Sequence, residues 1–274
     1  MNSAREVLSN QDGPFKDLEK LVCKYAATEY KRPIAGHTQK AFADAEQFIA
    51  DFYTKRFAQS EGPSCAAPQP VILDSGCGTG ESTQHLARRF PDYPVIGIDK
   101  SAIRLDKAGR AFDTAQSRGT EARNDDAQQE APKNIFYVRA ELIDFWRLAL
   151  DKVTSGQWVI PYHALYYPNP WPKQSEAGRR FHLHPIFPTL LQLAQETELR
   201  TNWEIYAREF ELAAGVVKEI PGHTSTSLST GAGDDNVVVK SVSCEAFEPE
   251  QPITAFERKY KNARQQLWRV LVRR

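Results

Sequence analysis

The sequence predicts a doubly wound α/β domain built on a mostly parallel sheet. Three observations point there. Short β-branched apolar runs recur along the chain, helical patterns fill the gaps between them, and the first two runs each end in an acid. The 274 residues suffice for one large α/β domain or two small ones. With 41% hydrophobic and 26% charged residues, the composition is globular and excludes wholesale disorder or a fibrous protein.

Taken in order, residues Glu6 to Arg56 are expected to be helical, an extension over 1–60 packed beside a domain over 61–274. The stretch from Gln59 to Pro70 is small, polar and proline-bearing, and reads as a linker into the first strand. Val71 to Asp74 is that strand, a glycine turn follows at once, and Glu81 to Phe90 has helix-forming composition. Val95 to Asp99 repeats the pattern, again apolar and ending in an acid. Five further runs, Asn134 to Val138, Trp158 to Tyr167, Glu198 to Trp203, Val237 to Val242 and Gln266 to Val272, bring the expected strands to seven. Two polar insertions, near 115–132 and 221–236, carry too few large apolar residues to pack a core.

Charge and cysteine usage narrow the function. Thirty-five Lys plus Arg balance 35 Asp plus Glu, which excludes a uniformly cationic nucleic-acid coat. No apolar run of about 18 residues is present, and the polar start lacks a secretory apolar region, so the expected location is cytoplasmic, with no membrane partner. Cys23, Cys65, Cys77 and Cys244 form no CxxC pair and read as reduced thiols. His182 and His184 sit two apart without further ligand partners, so no metal is expected.

The glycine turn carries chemistry. Gly76, Gly78 and Gly80 lie between a strand and a helix, where missing side chains let a ligand approach the backbone and the helix offers free N–H groups. No Lys follows, which disfavours a phosphate cradle. Roughly 20 residues on, Asp99 ends the second strand, the position from which an acid holds ribose hydroxyls in nucleotide-binding α/β folds. The same residues would also serve a tight turn with two capping acids and no ligand. Asp74, the three glycines and Asp99 together resemble class I S-adenosylmethionine-dependent methyltransferases, a Rossmann-like α/β fold with a mostly parallel seven-stranded sheet. That resemblance places Asp74 near the amino acid part of the cofactor, Asp99 at the ribose and Glu141 beside the adenine; Glu141 equally suits the N-terminus of a helix.

Pro168-Asn169-Pro170-Trp171-Pro172-Lys173 places three prolines in five residues directly after the fourth strand, a rigid loop at the carboxyl end of the strands, where α/β folds bind ligands. Arg179 and Arg180 follow, and with Lys173 form a cationic cluster suited to phosphates, though a solvated basic turn would look the same. With Thr201-Asn202-Trp203 and Tyr206, and with Thr254 to Glu257, these motifs resemble the bacterial tRNA (guanine-N7)-methyltransferases. That family's patterns are PDPWPK, KRR, TDWxxY and a terminal T-x-Y-E. The resemblance runs from about Val71 to the C-terminus and implies S-adenosylmethionine as cofactor and tRNA as partner. It implies a catalytic role for Asn169, substrate binding by Lys173, Asn202, Thr254 and Glu257, and RNA contacts by Arg179 and Arg180.

Departures fall at the centre of the motifs. Both motif aspartates are asparagine, at Asn169 and Asn202, Gly178 replaces the basic residue before the arginine pair, and the family more often has Glu, Glu and Asp at the cofactor positions. Guanine N7 attacks through a lone pair, so losing a carboxylate base need not abolish transfer. Recognition changes more, because an amide offers one acceptor where a carboxylate offers two. From Gln251 onward the chain holds seven Lys or Arg against one acid, Glu257. The expectation is methylation of guanine N7 in tRNA. A paralogous methyltransferase on another RNA or a small molecule, or a catalytically silent RNA-binding module, stays open.

Overall fold

The computed structural model describes residues 6–57, 68–119, 132–220 and 239–274. The expected linker at Gln59 to Pro70, both polar insertions and Cys65 lie wholly or in most of their length outside them. In chain order the elements are α1 (Leu18–Ala26), α2 (Gly36–Phe57), β1 (Gln69–Pro70), β2 (Ile72–Ser75), α3 (Glu81–Arg89), β3 (Val95–Asp99), α4 (Ala102–Gly119), β4 (Ile135–Arg139) and α5 (Leu142–Thr154). They continue with β5 (Trp158–Val159), β6 (Tyr162–Tyr166), α6 (Phe187–Leu193), β7 (Glu196–Thr201), α7 (Glu204–Glu219), β8 (Ser241–Phe247), α8 (Ala255–Asn262) and β9 (Leu267–Arg273). The chain divides into two compact units, one of Ile34–Pro161, the other of Met1–Pro33 with Tyr162–Arg274.

In the Ile34–Pro161 unit, β3 lies between β2 and β4, all parallel, with Asp74 opposite Gly97 and Asp99 opposite Arg139. Every residue of β2 and β3 is buried, as expected of parallel strands with both faces covered. Helix α2 buries Phe42, Ala45, Ile49 and Tyr53, a stripe at helical spacing, and Phe42 meets Phe145 of α5 edge-on at 4.9 Å. Burying one such aliphatic or aromatic side chain stabilises by about 1.5–3 kcal/mol. The corner after α3 is closed by Asn134, whose amide donates to the Phe90 and Tyr93 carbonyls at 2.9 and 2.7 Å.

The second unit carries β6 and β7 as a parallel pair, then β9 antiparallel to β7 and β8 antiparallel to β9. Its helix α7 buries Tyr206, Phe210, Ala213, Ala214 and Val217, and α1 packs on it. With β2, β3 and β4, these make the seven strands of a mostly parallel α/β fold, as the sequence predicts.

Two expected runs are corrected. Trp158 to Tyr167 is broken at Pro161, which has no N–H for a ladder; the piece before it pairs with β1 and the piece after becomes β6. Of the run expected at Val237 to Val242, residues 237 and 238 lie outside the described residues; the strand found there runs over Ser241–Phe247, where residues largely alternate between exposed and half-buried rather than forming an apolar block. No described helix is long and apolar enough to cross a membrane.

Candidate functional site

Three acids stand at the carboxyl ends of three adjacent parallel strands. Asp74 lies within β2, Asp99 ends β3, and Glu141 follows β4 by two residues as the residue before α5. Asp74 is 1% exposed, and its Oδ2 accepts hydrogen bonds from the Ser82 and Thr83 hydroxyls at 2.7 and 2.6 Å, both in the first turn of α3. No cation pairs with it among the described residues, and burial pushes its carboxyl up to about 6 against the help of those two hydroxyls. Asp99 holds the glycine loop, accepting from Gly78 N at 3.1 Å and from Ser101 N at 2.8 Å. The Glu141 side chain is exposed and makes no capping bond, while its backbone N–H donates to Thr38 Oγ1 at 3.3 Å.

The glycines divide into two kinds. Gly76 (φ 78°), Gly78 (φ 58°) and Gly80 (φ 81°) all adopt left-handed backbone that side chains disfavour. A Cβ on Gly80 would run into the Tyr137 hydroxyl and, at 2.9 Å, Ala108 Cβ, so this glycine serves packing. A Cβ on Gly76 would meet nothing within 4 Å, and one on Gly78 only the Gly76 carbonyl at 4.0 Å. The open space over these two is room for a ligand against bare backbone. An unpaired buried carboxylate at one end and a second acid at the other fit a cofactor bearing an ammonium and a ribose diol.

Two further loops leave the carboxyl ends of the parallel pair β6 and β7 in the other unit. Tyr167 follows β6, and its N–H donates to the Arg200 carbonyl at 2.7 Å. The proline loop is strained: Tyr167 (φ 51°) and Trp171 (φ 46°) are non-glycine residues in left-handed backbone, a cost of about 1–3 kcal/mol each that clusters at functional sites. Asn169 is exposed, and its Oδ1 accepts from Trp171 N at 3.4 Å in a local turn. Lys173 and Arg179 are exposed, Arg179 over the Trp171 ring at 4.6 Å. Asn202 follows β7 and donates to Gln265 Oε1 at 3.0 Å.

Arg180 does not belong with Arg179. It has no exposed surface, so it cannot meet an RNA phosphate, and its expected RNA contact is corrected here. Its guanidinium grips Glu209 through Nη1 at 2.7 and 2.9 Å, the Gln11 side-chain oxygen at 3.0 Å, and the Trp171 carbonyl through Nη2 and Nε at 2.9 and 3.2 Å. Glu209, equally buried, also accepts from Gln11 Nε2 at 2.6 Å, Phe15 N at 2.7 Å and His182 Nε2 at 2.8 Å. Burial works to raise the Glu209 carboxyl, but His182 and Arg180 hold it below its usual range. Burial keeps His182 neutral, so Nε2 carries the proton it donates and Nδ1 is the bare nitrogen. His182 is thus a neutral hydrogen-bond partner of the Arg180–Glu209 ion pair, and no metal-ligating cluster exists among the described residues. Ser9 Oγ donates to the Pro172 carbonyl at 2.8 Å, so residues 9–15 and Arg180 fasten the proline loop from two sides.

Thr254 and Glu257 also turn inward. Thr254 caps α8, its hydroxyl accepting from Glu257 N at 3.0 Å. Glu257 is fully buried and accepts from Arg200 Nη1 at 2.7 Å, Tyr167 Oη at 3.1 Å and Ile253 N at 2.8 Å. Arg200 in turn binds Glu198 at 2.7 Å, and Glu198 accepts from Tyr162, which is bonded to Tyr166. The sequence pointed to none of Glu198, Arg200, Tyr162 or Tyr166. Their spacing carried a signal, since residues two or four apart on a strand share a face.

Comparison with known proteins places this arrangement. Residues 68–270 match Methyltransf_4, a methyltransferase family. The tRNA (guanine-N(7)-)-methyltransferase of Saccharophagus degradans is 23% identical over 212 residues, 75% of this chain and 76% of that protein. The one of Psychromonas ingrahamii is 24% identical over 209 residues, 75% and 71% of the two chains. A trans-aconitate 2-methyltransferase of Deinococcus radiodurans is 55% identical over 42 residues only, so this chain spans 16% of its length. Among solved structures, an antibiotic-related methyltransferase covers 91% of this chain and 97% of its own at 11% identity, TM-score 0.48. The 16S rRNA methyltransferase KamB covers 89% and 96% at 14% identity, TM-score 0.45. From the family match over most of its length and the parallel α/β topology of its strands, the chain belongs to the tRNA (guanine-N7)-methyltransferase family, with the class I S-adenosylmethionine-dependent fold.

Proposed function

We propose that this protein transfers a methyl group from S-adenosylmethionine to N7 of a guanine in tRNA. The observation that carries the cofactor half is the open space over Gly76 and Gly78 beside the unpaired, buried Asp74. Asp74 receives the cofactor's ammonium, Asp99 its ribose hydroxyls, and the exposed Glu141 lies toward its adenine. When bound, the cofactor supplies an electrophilic methyl, and guanine N7 offers a lone pair, so no side chain has to remove a proton.

The substrate half rests on family membership and on the strained loop from Tyr167 to Lys173. Asn169 and Asn202 position the base, and Lys173 and Arg179, both exposed, hold phosphate. Thr254 and Glu257 act behind this surface, fixing α8 and the Tyr167 ring, rather than reading the guanine edge with groups already engaged.

A second reading is motivated by the two asparagines: a methyltransferase of the same family acting on a different RNA or a small molecule. Incubating the protein with methyl-labelled S-adenosylmethionine and bulk tRNA separates the two. Label in RNA supports the proposal; stoichiometric cofactor binding with no label in any RNA sinks it.

A further inference from the structure

One exposed feature is used by none of the roles above. Phe256, on the first turn of α8, leaves 48% of its surface open, an unusual exposure for a large apolar ring. It is not isolated. Its ring lies 6.1 Å from Tyr260 at 20°, one helical turn on, and 6.2 Å from Tyr167; Tyr167 and Tyr260 are 5.5 Å apart. The three rings form one aromatic surface continuous with the proline loop, since Tyr167 is the loop's first residue.

This surface is held rigidly. The Tyr167 hydroxyl donates to Glu257 Oε1, which Arg200 Nη1 also holds, and Thr254 caps the helix that presents Phe256. A cation adjoins it: Lys259, one helical turn from Phe256, is exposed, while the helix's one acid, Glu257, is buried and paired inward. Rigid aromatics with an adjacent cation suit a ligand that is flat, polarisable and anionic. Unpaired nucleotides have this chemistry, with a π-face on every base and a phosphate between them.

We propose that Tyr167, Phe256 and Tyr260 form a stacking platform for an unpaired nucleobase of the RNA substrate, with Lys259 meeting an adjoining phosphate. The proposal rests on the RNA reading above and adds to it a preference for single-stranded over duplex RNA at this surface.

The test measures affinity of the full chain for a fluorescent unpaired RNA oligonucleotide and for the same sequence in a duplex. Phe256→Ala is expected to weaken binding of the unpaired strand by about tenfold and Phe256→Trp to preserve it, with duplex affinity unchanged. S-Adenosylmethionine binding, which uses the other unit, checks that each variant is folded. Wild-type affinity in Phe256→Ala, or in Phe256→Leu, which keeps apolar bulk without a π-face, overturns the platform. Equal losses for duplex and single strand also overturn it. A wild-type protein that binds no RNA removes the RNA reading itself and the platform with it, an outcome distinct from RNA binding that ignores Phe256.

Discussion

A carboxamide in place of a carboxylate alters what a guanine edge meets. Guanine presents two adjacent donors, and Asn169 and Asn202 each offer one acceptor; Oδ1 of Asn169 is already shared with the Trp171 N–H. An unpaired buried donor costs about 1–3 kcal/mol. Asn169→Asp and Asn202→Asp are therefore each expected to raise kcat/KM for tRNA by on the order of tenfold. Unchanged rates in folded variants would mean that these side chains do not touch the base. Asp74 gives a second prediction at this scale. Its carboxyl, held up near 6 by burial, must be ionised to receive an ammonium, so S-adenosylmethionine should bind about tenfold more weakly at pH 5 than at pH 7–8. In Asp74→Asn, binding is weak and flat with pH; calorimetric titration at three pH values decides, and a flat wild-type profile contradicts the assignment.

At the scale of elements, the proline loop depends on a buried pair as much as on its own prolines. Arg180 joins the Trp171 carbonyl to Glu209 of α7 and to Gln11. Glu209→Gln leaves the guanidinium buried without its counter-charge, which typically costs 3–5 kcal/mol. The variant should show a lower urea midpoint and a larger loss of tRNA methylation than of cofactor affinity, because Asp74 and the glycine loop lie in the other unit. Equal loss of both would contradict the positioning role. The strand, glycine turn and helix from Val71 to Phe90 were legible in the sequence because their chemistry is largely local: Asp74, the three glycines, Ser82 and Thr83 lie within ten positions, and Asp99, which also holds the loop, ends the next apolar run. Arg180 was misread for the opposite reason. Sequence shows that a residue is charged, and here the partner that buries it is 29 residues away, with Gln11 169 residues away. A signal was present in α7, where Glu209 interrupts the otherwise apolar character of the face of Tyr206, Phe210 and Ala213.

For the whole molecule, equal counts of acids and bases conceal a division of labour. The acids that matter sit at strand ends or are buried in pairs, while exposed cations gather along the proline loop and α8. Neutrality thus excludes only a uniformly basic surface, and RNA affinity should fall with salt in proportion to the few phosphates held. Stability should also respond to pH. Burial lowers His163 to about 3 and His182 in the same direction, so below pH 6.5 the unfolded chain binds protons that the folded one refuses. Stability is lost as pH falls from 7 to 5, about 2 kcal/mol for His163 alone. Asp74 opposes this, since its raised carboxyl favours the folded state as pH falls through 6, yet a single group is set against three, because burial lowers His184 as well. The urea midpoint should therefore drop between pH 7 and pH 5, and a constant or rising midpoint would contradict the neutral, buried histidines.

Transfer to guanine N7 is read out by nucleoside mass analysis of tRNA incubated with the protein and isotopically methyl-labelled S-adenosylmethionine. The expected product is labelled 7-methylguanosine, with Asp74→Asn giving little of it at neutral pH. Label in any other nucleoside, or none in RNA while the cofactor binds, would rule out guanine N7 as the acceptor.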